Sequence, residues 1–252
     1  MIRPGSSAPL RAVVFDVDGT LYRQAPLRRR LALALVRAYA SAPCEGIAAV
    51  RALAAYRRAQ EQLRGSPDQH GDLGATQLAV TAVRARCDPA WLQLLVTRWL
   101  EHAPLALVPS AAWPGAIELL RALVANGLRL AVVSDYPAEA KLRALGIASL
   151  FDVVVAAQDP DVGRFKPSDA GIRAALRRLG VRPEEAAYVG DRVHIDAPAA
   201  ASAGVECFIV GARARRGARM AYRPVSDYRA LTVALQIRQS VAPLGATAGS
   251  SP

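Results

Sequence analysis

AVVFDVDGTLY, residues 12–22, runs from four apolar residues into two carboxylates one residue apart, Asp16 and Asp18, and then into a Gly-Thr pair. An apolar run of this length that ends in charge predicts a buried strand whose carboxyl end reaches a surface. Ligands of open α/β sheets bind at that edge, so the stretch is a candidate site. The alternative is an aspartate-rich turn that caps the next helix. The rest of the chain decides between these two interpretations.

From Trp113 onward the sequence alternates between strand and helix patterns. The apolar runs LRLAVVS, FDVVVAA, EEAAYVGD and VECFIV predict strands, and amphipathic segments that end at Gly127, Gly146 and Gly180 predict helices. Strands that alternate with helices imply a parallel sheet with helices on both faces. The sequence therefore predicts an α/β fold with a Rossmann-like, doubly wound core.

Between Tyr22 and Trp113 the pattern is helical instead. Four amphipathic segments with apolar residues three and four positions apart predict helices that pack on one another. We expect an α-helical cap domain inserted after the first strand, and a disordered tail with too little apolar content to pack. The predicted division is a lead at 1–10, a core at 11–22 and 105–238, a cap at 23–104 and a tail at 239–252.

The composition is that of a folded protein without a membrane span. Of the 252 residues, 52% are hydrophobic, which excludes a wholly disordered chain. No uninterrupted apolar stretch approaches the length of about 18 residues that a span needs, and no secretion signal precedes Asp16, so we expect a cytoplasmic protein. Three widely spaced cysteines without a CxxC pair argue against a disulfide framework or a zinc cluster.

The net charge of +11 points at first to a nucleic-acid partner, because a basic surface releases counterions from phosphates. However, only Lys141 and Lys166 of the 32 basic residues are lysines, so arginine is the default cation of this chain. The densest basic segments, 28–30 and 211–223, carry no nucleic-acid-binding motif. We therefore expect a solvated basic surface that attracts small anionic substrates, and no nucleic-acid partner.

Polar side chains end several predicted strands or follow just beyond them: Asp16, Asp18, Ser134, Lys166 in GRFKP, and Asp191 and Asp196 in GDRVHID. These segments resemble, in order, the four motifs of the haloacid dehalogenase-like hydrolase superfamily: DVDGT, the strand-terminal serine, the lysine and the acidic GDRVHID segment. The resemblance is to its phosphatase branch with a helical cap after the first motif, and it spans residues 11–235.

The resemblance implies a hydrolase of small phosphate monoesters that works through an aspartyl-phosphate. Asp16 is similar to the nucleophile of the family. Asp18 is similar to the general acid and base, a role for which we expect its pKa to be raised toward neutrality. Thr20, Ser134 and Lys166 are implied to bind the phosphate, largely through positioning and charge neutralisation.

The acidic cluster also implies a metal ion. Carboxylates around a phosphate would repel it, and oxygen ligands with open water positions suit Mg²⁺. By resemblance, Asp16 and Asp191 supply side-chain oxygens and Asp18 supplies its backbone carbonyl. Asp196 is similar to a partner that orients the metal site or Lys166. The alternative for Asp196 is a helix cap before APAAASAG.

Substrate identity stays open at this stage. Asp135 and Tyr136 follow Ser134 where many members of the family carry Asn, Thr or Lys. Residues beside the phosphate pocket and on the cap read the leaving group in such enzymes. Arg64 and His70, at the Gly- and Pro-containing loop of the cap, are therefore candidates for specificity, although a polar loop needs no such role.

Three other functions share this fold. A phosphomutase of sugar phosphates uses the same two aspartates, so the motifs do not exclude it. A C2-haloacid dehalogenase typically lacks the second aspartate, so Asp18 argues against that activity. A non-catalytic phosphate-binding module should have lost the nucleophile or a metal aspartate, and none is missing. The oligomeric state is open.

Overall fold

The computed structural model describes residues 8–66, 72–212 and 220–236. Within them, six strands form one parallel sheet in the order β3-β2-β1-β4-β5-β6. The strands are β1 (Ala12–Phe15), β2 (Arg129–Ser134), β3 (Val153–Ala156), β4 (Ala186–Gly190), β5 (Glu206–Val210) and β6 (Arg223–Val225).

The described residues contain ten α-helices, of which the first six lie between β1 and β2. They are α1 (Gln24–Ala38), α2 (Pro43–Arg64), α3 (Leu73–Ala85), α4 (Pro89–Val96), α5 (Val108–Ala111), α6 (Ala116–Ala125), α7 (Glu139–Ala144), α8 (Ala170–Leu179), α9 (Asp196–Ala203) and α10 (Tyr228–Ala234). A π-helical segment, Thr97–His102, continues α4, and short 3₁₀ turns lie at Ala148–Leu150 and Pro183–Glu185.

β1 lies in the middle of the sheet because both of its faces are apolar. Phe15 packs into a cluster on the side of α6, α7 and α10, while Val14 packs into a second cluster on the side of α8 and α9. Burial on both faces is typical of parallel strands that read as continuous apolar runs. Helices therefore cover both faces, and the predicted Rossmann-like α/β core is confirmed.

The strand order also fixes where the site must lie. Phe15 is in register with Val132 of β2 on one side and with Val189 of β4 on the other. The chain builds β2 and β3 on one side of β1 and then crosses to build β4, β5 and β6 on the other. Such a reversal of strand order opens a crevice at the carboxyl ends, where ligands bind in α/β sheets.

The helices α1 to α4 and the π-helical segment are called the cap below. Leu27 of α1 packs into a cluster on the sheet, and the rest of the cap forms an apolar cluster of its own, against which Leu35 of α1 packs. Its buried members include Tyr56 of α2, Leu92 of α4 and Trp99 of the π-helical segment, and it is separate from the two clusters on the sheet. The position of the cap matches the insertion expected after the first strand. The domain boundaries at 23–104 and 105–238 stay a prediction.

Two carboxyl-terminal elements were not predicted. β6 has three residues, one of them Pro224, so it offers neither an alternating pattern nor a typical strand composition. α10 begins after Asp227, whose side chain accepts a hydrogen bond from the Ala230 backbone, and it buries Tyr228 in the core. Its seven residues are too few for a clear helical period.

Some predictions fall outside the described residues. His70, most of the basic segment 211–223 and the tail at 239–252 are among them. Among the helices that the structure describes, none combines the length and the apolar character that crossing a membrane requires.

Candidate active site

Asp16 follows β1 directly, and its carboxylate is held from two sides. The residue is 2% exposed. Its Oδ1 accepts a hydrogen bond from Lys166 Nζ at 2.5 Å, and its Oδ2 accepts one from Thr20 Oγ1 at 2.8 Å. Burial raises the pKa of Asp16 to about 6, against the opposing charge of Lys166. Each oxygen keeps a second lone pair, so a carboxylate fixed in this way can still attack an electrophile.

Lys166 is the buried cation of the site. Its Nζ donates to Asp16, to Asp196 Oδ1 at 2.8 Å and to the Tyr188 hydroxyl at 3.1 Å. Burial alone would lower the pKa of Lys166, but Asp16 and Asp196 raise it well above its usual value. Lys166 is therefore a permanent positive charge beside Asp16, as its predicted role requires.

Asp196 connects Lys166 to the loop after β4. Its Oδ1 accepts from Lys166 and from Tyr188, and its Oδ2 accepts from the backbone N–H groups of Asp191 at 3.2 Å and Arg192 at 2.9 Å. These partners precede α9, so the alternative of a cap for that helix is wrong. A Cβ at Gly190 would lie 2.5 Å from Asp196 Cγ, which explains the glycine at this close approach.

Two predicted phosphate-binding residues, Ser134 and Thr20, lie in different settings. Ser134, at the end of β2, lines the cavity between the cap and the sheet together with Asp16. Thr20 is fully buried and donates its hydroxyl to Asp16, while its carbonyl accepts from the Tyr228 hydroxyl at 2.6 Å. Thr20 thus orients Asp16, and its contact with a phosphate stays a prediction.

Asp18 lies in a setting that the sequence analysis did not foresee. Lys141 Nζ of α7 donates to Asp18 Oδ1 at 2.7 Å and to Oδ2 at 2.8 Å, and the Tyr22 hydroxyl also donates to Oδ1. Burial would raise the pKa of Asp18, but Lys141 and the hydrogen bonds lower it below its usual value. The expectation of a raised pKa is therefore wrong, because a cation from a distant helix reaches this carboxylate.

The acidic cluster fits a divalent cation. One carboxylate oxygen from each of Asp16, Asp191 and Asp196 lies within 4.8 Å of the others. Asp191 Oδ1 is buried without a hydrogen-bond partner among the described residues, and Arg192 Nε lies 3.9 Å from it. Burial, with the charges of Asp16 and Asp196, raises the pKa of Asp191 to about 7. Clustered carboxylate oxygens, one of them without a hydrogen-bond partner, are the type of ligand that hard cations bind.

Two backbone features bear on that fit. Gly19 has a φ of +105°, and a Cβ there would lie 2.0 Å from Asp191 Oδ2, so only glycine lets the turn after Asp18 pass against Asp191. The Asp18 carbonyl, the predicted third ligand, accepts a hydrogen bond from Gln24 Nε2 at 2.6 Å. A carbonyl oxygen has two lone pairs, so one remains for a cation.

Asp135 joins the cap to the sheet. Its Oδ2 accepts from Arg64 Nη2 of α2 at 2.5 Å, from Gln60 Nε2 at 3.3 Å and from Arg192 Nη2 at 3.3 Å. Arg64 Nη1 also donates to the Lys166 carbonyl at 2.5 Å. The Arg64 side chain is 5% exposed, so most of its surface is committed to these contacts. Its predicted part in specificity stays a prediction, and His70 lies outside the described residues.

A cavity of about 540 Å³ lies between the cap and the carboxyl ends of β1 and β2. Its floor contains Asp16, Asp18 and Ser134, and Trp99 and Leu100 contribute apolar surface from the cap. A volume of this size holds a small metabolite. Lys166, which contacts Asp16, and Asp191 and Asp196 are not among the residues that line the cavity.

A family model described as "haloacid dehalogenase-like hydrolase" matches residues 10–204. Two relatives are similar over most of their length. A glyceraldehyde 3-phosphate phosphatase of Methanopyrus kandleri is 32% identical over 86% of this chain and 89% of its own. A phosphoglycolate phosphatase of Rhodospirillum rubrum is 33% identical over 79% of each chain.

A crystal structure of a 2-haloacid dehalogenase from Pseudomonas syringae is similar to this fold. It covers 90% of this chain and 98% of its own at 24% identity, with a TM-score of 0.64. At that identity the likeness concerns the fold and carries no information about the reaction.

Proposed function

The chain belongs to the haloacid dehalogenase-like hydrolase family and is a phosphatase of that family, and we propose that it hydrolyses small phosphate monoesters through an aspartyl-phosphate on Asp16, with Mg²⁺ as cofactor. The observation that carries the proposal is the setting of Asp16. Its carboxylate lies on the floor of the cavity, fixed between Thr20 and Lys166, two residues before a second acid.

In the first half of the reaction an Asp16 oxygen attacks phosphorus, the P–O bond of the ester breaks, and the leaving oxygen takes a proton from Asp18. In the second half a water molecule attacks the aspartyl-phosphate, Asp18 accepts a proton from that water, and free phosphate and Asp16 result. Splitting one displacement into two makes each easier. Lys166 supplies fixed positive charge beside the transferred group in both halves.

The contact between Lys141 and Asp18 bears on both halves. The lowered pKa of Asp18 favours the ionised form, which is the form that accepts a proton from water. For the first half Asp18 must carry a proton, so its contact with Lys141 has to loosen. Lys141 lines the cavity, so it can turn from Asp18 toward the negative charge of a bound substrate.

Asp16, Asp191 and the Asp18 carbonyl are the proposed ligands of Mg²⁺, and Asp196 orients the loop that carries Asp191. A bound Mg²⁺ would neutralise charge on these carboxylates and on the phosphoryl group. The two relatives act on phosphate esters of small metabolites, as their names state. We infer substrates of similar size for this chain, which the volume of the cavity admits.

The proposal is tested with a panel of phosphate monoesters assayed for released phosphate, with Mg²⁺ and with excess chelator. We expect turnover of several small esters with Mg²⁺ and its loss with chelator and in Asp16→Asn. If no ester in the panel releases phosphate, or if Asp16→Asn keeps wild-type turnover, the proposal fails. Transfer of the phosphoryl group to a second position of a sugar phosphate, without release, would instead identify a mutase.

A further inference from the structure

The cations that line the cavity fall into two sets. The first set is paired with the acids of the site. Lys141 contacts Asp18, while Arg64 and Arg192 both contact Asp135. The fourth acid of the lining, Glu61, also pairs with Arg64, and Asp16 pairs with Lys166. Every carboxylate of the lining is therefore already engaged by a cation.

The second set is Arg28 of α1 with Arg57 and Arg58 of α2. These three line the same cavity from the cap. Within the part of the chain that the structure describes, none of them forms an ion pair, and the one hydrogen bond of the set runs from Arg28 Nη2 to Gln24 Oε1. Glu61, the nearest acid along α2, forms an ion pair with Arg64 instead. The set thus carries three positive charges, none of which is in an ion pair with an acid in the described part of the chain.

Arg28 and Arg57 are close enough to affect one another. Partial burial lowers the pKa of Arg28, and the positive charge of Arg57 lowers it further, while Asp18 attracts it from the floor. All three arginines are exposed, and neighbouring like charges repel each other, so an anion bound between them relieves that repulsion.

The three arginines lie on the side of the cavity toward which the leaving group of a substrate at Asp16 would extend. A phosphate ester that reacts at Asp16 has its phosphoryl group on the floor, beside Lys166. Its leaving alcohol then extends into the cavity toward the cap, where the three arginines lie. Guanidinium groups bind carboxylates and phosphates through paired N–H donors, so they suit an anionic group on that alcohol.

We propose that Arg28, Arg57 and Arg58 bind a second anionic group, a carboxylate or a further phosphate, on the leaving alcohol of the substrate. This inference rests on the proposed function and narrows its substrates to esters with an anionic tail. An ester whose tail is neutral or cationic lacks the group that these arginines bind. The preference should appear in kcat/KM, because the contact is made with the part of the substrate that does not react.

The test compares four esters with two-carbon tails of different charge. The set is 2-phosphoglycolate, with a carboxylate; ethane-1,2-diyl bisphosphate, with a second phosphate; 2-hydroxyethyl phosphate, which is neutral; and phosphoethanolamine, which is cationic. We expect kcat/KM for at least one anionic tail to exceed that for the neutral tail by about tenfold or more, as charge-assisted hydrogen bonds allow. The two anionic esters separate a carboxylate site from a phosphate site.

Substitutions then locate the preference. In Arg57→Gln and in Arg28→Gln/Arg58→Gln we expect the ratio of anionic to neutral kcat/KM to fall toward one. Arg29→Gln of α1 and Arg51→Gln of α2 remove the same charge from the same helices outside the cavity lining, and these controls should keep the wild-type ratio. If the glutamine variants fold poorly, Arg58→Lys is measured in their place. It keeps the charge and should retain part of the preference for anionic esters.

Several outcomes overturn the proposal. If the wild-type enzyme hydrolyses the neutral ester and the anionic esters with the same kcat/KM, it has no anionic subsite. Equal losses on all four esters in the arginine variants would mean a structural role, and equal effects in the control variants would mean long-range charge alone. Each of these results leaves the proposed function intact. Absence of turnover on every ester would instead contradict the phosphatase proposal itself.

Discussion

Lys141 Nζ lies 2.7 Å from Asp18 Oδ1 and 2.8 Å from Asp18 Oδ2, so one ammonium group holds both oxygens of the carboxylate. The two side chains are 12% and 24% exposed, which leaves little water to screen the pair. The contact joins the turn after β1 to α7, two elements 123 positions apart in sequence. Asp18 is thereby fixed next to the cavity in its ionised form.

A double-mutant cycle measures this contact. We expect Lys141→Met to lower the free energy of unfolding by about 1–3 kcal/mol, because it leaves a largely buried carboxylate without its cation. The effects of Lys141→Met and Asp18→Asn should be non-additive by about 0.5–3 kcal/mol, measured by chemical denaturation. Lys141→Arg is the control that keeps the charge. Additive effects of the two substitutions would show that the pair contributes nothing to stability.

Arg64→Ala separates a contact between cap and sheet from a role in reading the substrate. Arg64 donates to Asp135 and to the Lys166 carbonyl, so its loss should lower kcat/KM for all esters of a panel by a similar factor. Asp135→Asn should give the same uniform decrease. Arg84→Ala, an exposed substitution elsewhere in the cap, serves as the control. A reordered ranking of esters in Arg64→Ala would support the specificity role suggested by the sequence instead.

Mg²⁺ should stabilise the wild-type protein and not Asp191→Asn. A ligand that binds only the folded state at about 100 times its Kd adds about 2.7 kcal/mol, which appears as a higher Tm. Asp191 Oδ1 is buried without a hydrogen-bond partner among the described residues, so Asp191→Asn removes a negative charge that is open to a metal ion. Its Tm without metal should not fall. The same Mg²⁺-induced rise in Tm for both proteins would exclude Asp191 as a ligand.

The sequence predicts the sheet because the sheet depends on strands that are buried on two faces. Such strands appear in the sequence as apolar runs. The ends of these runs identify Asp16, Ser134 and Asp191 as residues at the carboxyl edge of the sheet. The short strand β6 was missed because three residues give no period. The cap helices were recognised by their spacing, but spacing says nothing about which of their faces meets the sheet.

The contacts that the sequence did not reveal join segments far apart in the chain. In the sequence Asp135 is only a departure from a common pattern, and nothing local indicates that Arg64 and Arg192 converge on it. Lys141 offered one signal, since it is one of two lysines in an arginine-rich chain and the other is Lys166. The pKa of Asp18 depends on that long-range contact, which is why it was predicted in the wrong direction.

Asp16→Asn and Asp18→Asn should lower turnover to different extents and with different dependence on the leaving group. Asp16→Asn loses the attacking carboxylate and should show almost no turnover of any ester. Asp18→Asn loses proton transfer, which contributes about 10²- to 10⁴-fold, and the loss should be smaller for p-nitrophenyl phosphate, whose leaving group scarcely needs a proton. Steady-state kinetics on this ester and on an alkyl ester measure the difference. Equal losses on both esters in Asp18→Asn would contradict its role as the acid.

The most direct measurement is a rapid-quench experiment with a phosphate ester labelled in its phosphoryl group, followed by peptide mapping. The account predicts transient label on Asp16 in the wild-type enzyme, a larger amount in Asp18→Asn because hydrolysis of the aspartyl-phosphate is slowed, and none in Asp16→Asn. Label on a residue other than Asp16, or wild-type labelling and turnover in Asp16→Asn, would contradict the assignment of Asp16 as the nucleophile.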